Sequence, residues 1–139
     1  MEIRSIEKSE LWGHLEPHAG KPAVAILFAG DRLICCDEVL AAFDAGQFLG
    51  AVTLAARGEM ESGEPTIVGL WVHYDHRRRG LGQALLEAAI RRMIERGLTP
   101  IRLDLLSSKI EGMIEQLPEG LKKVLDIRQS MFCDSLLDA

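Results

Sequence analysis

The hydrophobic positions of the chain alternate in some segments and recur with helical spacing in others, so the two patterns divide it into strands and helices. Residues 39–44, 48–56 and 66–73 are rich in apolar and β-branched side chains, and short polar or glycine-containing segments separate them. Such runs predict three consecutive antiparallel strands, with a hairpin turn between the first two. Residues 1–6 alternate weakly and predict an edge strand.

The clearest helix is predicted over residues 81–96. Its apolar residues form a stripe at helical spacing, Gly97 stands where a left-handed C-terminal residue is favoured, and Pro100 prevents continuation. Residues 101–106 alternate as a further strand. Residues 110–117 show the i, i+3, i+4, i+7 spacing of a second amphipathic helix.

The two ends of the chain carry less distinct patterns. Ser9 is the expected N-cap of a short helix that Pro17 ends. The segment 21–36 fits either a buried helix or a strand, and residues 121–139 are expected to supply one or two final strands. We expect a single domain over residues 1–139, of the α/β (α+β) class, with a mixed, mostly antiparallel sheet flanked by helices.

Composition excludes several classes of protein. Of 139 residues, 47% are hydrophobic and 27% charged, so a folded core is expected rather than disorder. The net charge of −5 disfavours a nucleic-acid partner. The three cysteines show no metal-ligand spacing, and we predict no metal site. The N-terminus is charged and no apolar run could span a bilayer, so we expect a cytoplasmic protein without a membrane partner.

The three consecutive antiparallel strands form a meander, and positive charge is concentrated between its third strand (residues 66–73) and the long helix. Residues 73–83 read HYDHRRRGLGQ, and residues 76–96 hold six arginines against two glutamates. A helix N-terminus carries unpaired N–H groups and partial positive charge, glycine lets an anion approach the backbone, and arginine adds charge-assisted donors. The segment predicts a phosphate or pyrophosphate cradle; the alternative is a solvated run of charges. The residues after Gly82 fit neither a Walker A loop nor a dinucleotide fingerprint.

The segment LWVHYDHRRRGLGQALLEAAI resembles the coenzyme A-binding signature of the GNAT superfamily of N-acetyltransferases. That signature has the form R/Q-x-x-G-x-G/A. The residues that fill it here are Arg77, Arg78, Arg79, Gly80, Leu81 and Gly82. The order of predicted elements also agrees with the family over roughly residues 39–121. The resemblance implies acetyl-CoA as co-substrate and, as acceptor, an amine of a small molecule or a peptide N-terminus.

The resemblance also implies where the cofactor lies. In the family the third meander strand bulges and its backbone pairs with the pantetheine arm, which assigns Leu70, Trp71 and Val72 to this role. The loop 77–82, together with Gln83, is expected to bind the pyrophosphate. The acetyl thioester is expected where the third meander strand splays from the strand 101–106.

The family's catalytic groups do not transfer to this chain. An ungapped comparison puts Lys109 and Gln116 where family members often have Asn and Tyr, and the third meander strand carries no carboxylate. The remaining candidates for acid or base are Glu64, His73 and Tyr74. The ordinary interpretation of Glu64 is a charged residue in a turn, and that of His73 and Tyr74 is an exposed loop side chain. Water-mediated deprotonation of the amine by an acidic residue is preferred to a dedicated histidine.

Two other classes of function stay open. A non-enzymatic acyl-CoA-binding regulatory module of the same fold is favoured by the missing tyrosine. In an interaction protein without a cofactor, the three arginines would be only a surface patch. The oligomeric state, including a homodimer, also stays open.

Overall fold

A computed structural model describes residues 1–18, 28–29, 32–33, 37–56, 64–72, 80–105 and 108–129. The strands are β1 (Glu2–Ile6), β2 (Phe28–Ala29), β3 (Arg32–Leu33), β4 (Glu38–Asp44), β5 (Gln47–Ala55), β6 (Thr66–Val72), β7 (Ile101–Leu105) and β8 (Leu125–Gln129). The helices are α1 (Lys8–Leu15), α2 (Leu81–Glu95), α3 (Ser108–Glu115) and α4 (Glu119–Lys122), and a 3-10 turn spans Glu16–His18. Among the described helices, none is long and apolar enough to cross a membrane.

Six of the strands form one sheet in the order β1-β4-β5-β6-β7-β8. The first four pair antiparallel, whereas β7 runs parallel to β6 and β8 runs parallel to β7. β2 and β3 form a separate two-stranded sheet. The expected mixed, mostly antiparallel sheet with flanking helices is therefore confirmed, as is an edge strand at residues 2–6.

Local backbone geometry explains the predicted hairpin turn and the predicted end of the long helix. Ala45 and Gly46, between β4 and β5, both have positive φ (50° and 80°), as the tight turn of a twisted hairpin requires. Gly97 follows α2 with φ 72°, as predicted. The N–H of Gly97 donates to the carbonyl of Ile94 at 3.0 Å, and the N–H of Leu98 donates to the carbonyl of Met93 at 2.9 Å. These hydrogen bonds cap the C-terminus of α2.

The predicted start of the first helix is wrong. α1 begins at Lys8, and its N-cap residue Glu7 makes no side-chain capping hydrogen bond, so Ser9 lies inside the helix. The buried side chains of Leu11 and Leu15 are 0% and 1% exposed and face the sheet. Packing against the sheet, rather than a capping side chain, accounts for where this helix begins.

The chain ends are described only in part. The segment 21–36, for which helix and strand both stayed open, contributes β2 and β3 to the described residues. Within 121–139 the structure has the strand β8, and the prediction of a further strand after residue 129 lies outside the described residues.

Two apolar layers lie on opposite faces of the six-stranded sheet. The larger layer packs α2, α3 and α4 against the sheet, and its fully buried helical side chains are Leu85, Leu86, Ala89, Ile90 and Met93. The smaller layer lies under α1 and contains Leu11, Leu15, Val39, Ala41, Ala51 and Trp71. The smaller layer includes no side chain of β7 or β8 among the described residues.

Gly50 lets β5 and β6 approach closely. A Cβ atom at this position would lie 2.5 Å from the carbonyl oxygen of Trp71, 3.2 Å from Cα of Val72 and 3.3 Å from a methyl group of Leu85. The first two neighbours are backbone atoms, which cannot rotate away. A side chain at residue 50 would therefore have to displace the C-terminal half of β6.

We predict that Gly50→Ala lowers the free energy of unfolding by about 1–3 kcal/mol, the usual effect of overpacking. Gly112→Ala is the matched control, because a Cβ atom there meets nothing within 4 Å. Inside α3 this change should stabilise the protein by about 0.5–1 kcal/mol. Urea unfolding of both variants measures the difference, and equal stability of the two would contradict the close approach.

Candidate functional site

β6 and β7 are paired over only two residues each. Thr66 pairs with Arg102 and Ile67 with Leu103, whereas β7 stays paired with β8 as far as Leu105. Beyond Ile67 the strands β6 and β7 diverge while both continue. A cleft therefore opens between residues 68–72 of β6 and the end of β7, at the place where the sequence resemblance implied a splay.

A β-bulge in β6 lies at the closed end of this cleft. Thr53 of β5 pairs with Gly69 and Leu54 pairs with Ile67, so Val68 is an extra residue on β6. An extra residue bends its strand and increases the local twist. Because the bulge directly follows the last residue paired with β7, it accounts for the divergence of the two strands.

The three strand residues assigned to the pantetheine arm lie on the divergent part of β6. Leu70 and Val72 pack against the larger core layer, and Trp71 is buried in the smaller layer with its ring stacked 5.9 Å from that of Phe48. Side chains held on both faces fix the direction of this strand. Its backbone edge on the β7 side borders the cleft.

The N-terminus of α2 lies at the open end of the cleft. Gly80 precedes the helix with φ 73°, a conformation that glycine adopts without strain. The Gly80 carbonyl accepts the N–H of Ala84 at 3.0 Å, and Leu81 anchors the first turn in the core. An ideal Cβ on Gly82 would lie 3.8 Å from a methyl group of Val72, so this turn stands beside the end of β6. Its partial positive charge favours an anion there.

Gln83 is the unusual residue of this first turn. Its side-chain oxygen and nitrogen are both buried, and neither has a hydrogen-bond partner among the residues that the structure describes. A buried amide without partners is destabilising, and natural proteins retain few of them. Such a group at a helix N-terminus fits a residue whose partner is a ligand.

Gly82 has a packing role besides the cofactor-binding role that its place in the signature predicts. Its absent Cβ points at the Met113 side chain of α3, with distances of 3.0 Å to Cε and 3.5 Å to Sδ. The glycine therefore lets α3 pack against the start of α2. Sequence reasoning missed Met113, because its position fits the apolar stripe of α3 equally well as an ordinary core residue.

The expected site residues are only partly described. Those described are Leu70, Trp71, Val72, Gly80, Leu81, Gly82, Gln83 and Glu64. Those outside the described residues are His73, Tyr74, Arg77, Arg78 and Arg79. Gln116, at the position of the family's tyrosine, is exposed just after α3 ends. Within the described ranges, no three His, Cys, Asp or Glu side chains are grouped to hold a metal ion.

Glu64 is held by two arginines. Its carboxylate lies 2.8 Å from Nη2 of Arg128 and 3.7 Å from Nη1 of Arg102. The side chain of Arg128 also donates to Asp126, at 2.8 and 3.2 Å. The hydrogen bonds to Asp126 and Glu64 raise the pKa of the Arg128 guanidinium above its ordinary value, so it keeps its charge. A carboxylate in this setting acts as an ion-pair partner.

The chain belongs to the acetyltransferase (GNAT) family, whose family model matches residues 2–109. No protein of curated function matches the sequence significantly.

Solved structures share the fold at low sequence identity. Ribosomal-protein-alanine N-acetyltransferase from Brucella melitensis biovar Abortus 2308 is 18% identical, with 99% of this chain and 85% of that chain covered and a TM-score of 0.55. An aminoglycoside N-acetyltransferase in complex with CoA is 20% identical, with 83% and 87% covered and a TM-score of 0.54. An aminoglycoside acetyltransferase from a soil metagenomic sample, in complex with sisomicin, is 16% identical, with 84% and 87% covered and a TM-score of 0.57.

We predict that Gly82→Ala does not gain the stability of about 0.5–1 kcal/mol that alanine usually adds over glycine in a helix, because the new methyl group must displace Met113. Met113→Ala in the same chain should remove this penalty, since it vacates the space that the methyl group needs. Urea unfolding of the two single variants and the double variant gives the coupling energy. Additive effects would show that Gly82 does not serve the packing of α3 on α2.

Proposed function

We propose that the chain, with residues 1–139 acting as one domain, is an N-acetyltransferase that moves an acetyl group from acetyl-CoA to an amine. The amine attacks the thioester directly in a ternary complex. The observation that supports this most is the cleft, in which a bulged strand diverges from its parallel neighbour beside the N-terminus of a helix. Membership of the acetyltransferase family supports the same reaction class.

The proposed cofactor contacts follow the length of the cleft. The backbone of Leu70, Trp71 and Val72 pairs with the pantetheine arm as an added strand would. The N–H groups of the first turn of α2 and the side chain of Gln83 bind the pyrophosphate, and the arginines of residues 77–79 add charge. The buried amide of Gln83, without a partner in the described part of the chain, is the observation that fits this ligand.

The protein's contribution to the reaction is positioning and polarisation. Bound acetyl-CoA supplies an activated acetyl group as a thioester. Backbone N–H groups near the bulge at Val68 polarise the carbonyl of the thioester. The two walls of the cleft hold the thioester in line with the amine. An acidic residue removes the proton from the amine through water. The CoA thiolate, with a pKa of about 8.5 like that of a free thiol, leaves without a dedicated tyrosine acid.

The proposed acceptor is a small-molecule amine or a peptide N-terminus. Two of the structural neighbours are named for amine acceptors of these two kinds, a ribosomal protein's alanine and an aminoglycoside. A panel of aminoglycosides, polyamines, amino acids and short peptides with free N-termini, assayed for release of free CoA, tests the proposal. No release above the rate of acetyl-CoA hydrolysis with any member would contradict it.

A second candidate is a non-enzymatic acyl-CoA-binding module of the same fold. The engagement of Glu64 by two arginines favours it, because this was one of the three candidate acid–base groups. CoA binding without transfer to any amine of the panel would support the module over the enzyme.

We predict that CoA and dephospho-CoA raise the melting temperature, since both carry the pyrophosphate that α2 would bind. At a concentration about 100 times Kd, a ligand that binds only the folded state adds about 2.7 kcal/mol. Free pantetheine should give a much smaller shift. Differential scanning fluorimetry makes the comparison, and equal shifts from CoA and pantetheine would overturn the pyrophosphate site.

We predict that Gln83→Met raises the stability of the ligand-free protein by about 1 kcal/mol and weakens CoA binding. The variant removes a buried amide that has no partner among the described residues, which is destabilising by about 1–3 kcal/mol. It also removes the proposed contact to the ligand. Gln116→Met, at an exposed position, is the matched control for the side-chain change. Thermal unfolding and calorimetric titration with CoA measure both effects. Unchanged CoA affinity in Gln83→Met would exclude the side chain from the site.

A further inference from the structure

The closed end of the cleft depends on few backbone contacts. Only Thr66 and Ile67 of β6 pair with β7, and the N–H of Arg102 donates to the carbonyl of Pro65 at 2.7 Å just before β6 begins. On the larger core layer, Ile67 and Leu103 pack under the helices. On the opposite face, the smaller apolar layer does not reach β7 or β8 within the described residues.

Among the side chains that the structure describes, four charged ones lie together at that opposite face, and we call them the clamp: Glu64, Arg102, Asp126 and Arg128. Asp126 and Arg128 alternate with Leu125 of the core layer, and Arg102 alternates with buried neighbours, so these three side chains share one face. Glu64 comes from the segment leading into β6, and its backbone carbonyl accepts a hydrogen bond from Thr66 Oγ1 at 2.8 Å.

The clamp links three strands through one carboxylate. Glu64 reaches across β7 to Arg128 on β8, at 2.8 and 2.9 Å, and lies 3.7 Å from Arg102 on β7 itself. Asp126 holds Arg128 through Nε and Nη2, so the guanidinium is already oriented when it meets Glu64. Isolated surface ion pairs contribute little, but a network with fixed geometry contributes more. Here it adds to only two residue pairs of backbone ladder.

We infer that Glu64 and Arg128 are positioning residues, which hold β6, β7 and β8 together at the closed end and so set where the acetyl thioester meets the amine. This inference rests on the proposed function. Reaction rates respond steeply to misplacement of about 1 Å, whereas the proposed pyrophosphate contacts lie at the other end of β6. Loss of the clamp should therefore lower kcat and leave the KM for acetyl-CoA nearly unchanged.

The test compares Glu64→Gln, Arg128→Gln and the double variant by amide hydrogen exchange and by steady-state kinetics. The Arg102 amide should exchange about fivefold faster in each single variant, in line with one lost ion pair. With the best amine of the acceptor panel, kcat should fall about tenfold, and the double variant should match the single variants in both readouts. Additive losses in the double variant would overturn the coupling.

Arg92→Gln is the matched control, because Arg92 of α2 makes a similar two-pronged ion pair with Glu38 of β4, at 3.0 and 3.1 Å. It should leave the Arg102 amide and kcat unchanged. The same exchange rate at Arg102 in the control and in the clamp variants would overturn the clamp. Faster exchange with unchanged kcat would overturn its positioning role.

The kinetics also separate a positioning role of Glu64 from a role as general base. A base would make Glu64→Gln far slower than Arg128→Gln and would remove a limb of the pH–rate profile. Positioning predicts equal losses and an unchanged profile shape. A wild-type protein that acetylates no amine contradicts the proposed function, and exchange of the Arg102 amide then decides on the clamp by itself.

Discussion

The rest of the site depends on the divergence of β6 from β7 after Ile67. A sheet strand normally keeps its neighbours along its length, but here the β6–β7 ladder ends at Ile67 while the β5–β6 and β7–β8 ladders continue. The bulge at Val68 makes this compatible with continuous β5–β6 pairing, because it bends one strand without breaking the ladder behind it. The cleft is thus a property of the backbone.

Small residues bring the surrounding elements close enough to shape that cleft. Gly50 admits the Trp71 carbonyl where any Cβ would collide with it, and Gly82 admits Met113 of α3 beside the first turn of α2. The first contact fixes the divergent half of β6 against β5, and the second fixes the start of α2 against α3. Both glycines allow close packing because they have no side chain, so the packing at each position is sensitive to the addition of a single methyl group.

Much of this fold was predictable because its signals are local. The positive φ at Gly46 and Gly97, and the apolar stripe of α2, follow from turn chemistry and periodicity within a few residues. The predicted start of α1 was wrong because burial against the sheet, a contact between residues far apart in the sequence, overrides a capping preference. The contact of Met113 with the α2 N-terminus and the link from Glu64 to Arg128 join residues 31 and 64 positions apart. No spacing rule within one sequence reports such pairs.

The same ion-pair chemistry has different consequences at two places on the sheet. Glu38, only 12% exposed, receives Arg92 of α2 and Arg96, which directly follows that helix, but the helix is already held by the fully buried Leu85 and Ile90. Removing those ion pairs leaves the hydrophobic contact intact, because apolar burial supplies most of the attachment. Between β6 and β7 the ladder is two residue pairs long, and on one face the charges stand where an apolar layer would otherwise be. An ion pair controls geometry most where little else does, and in this fold that place adjoins the proposed reaction centre.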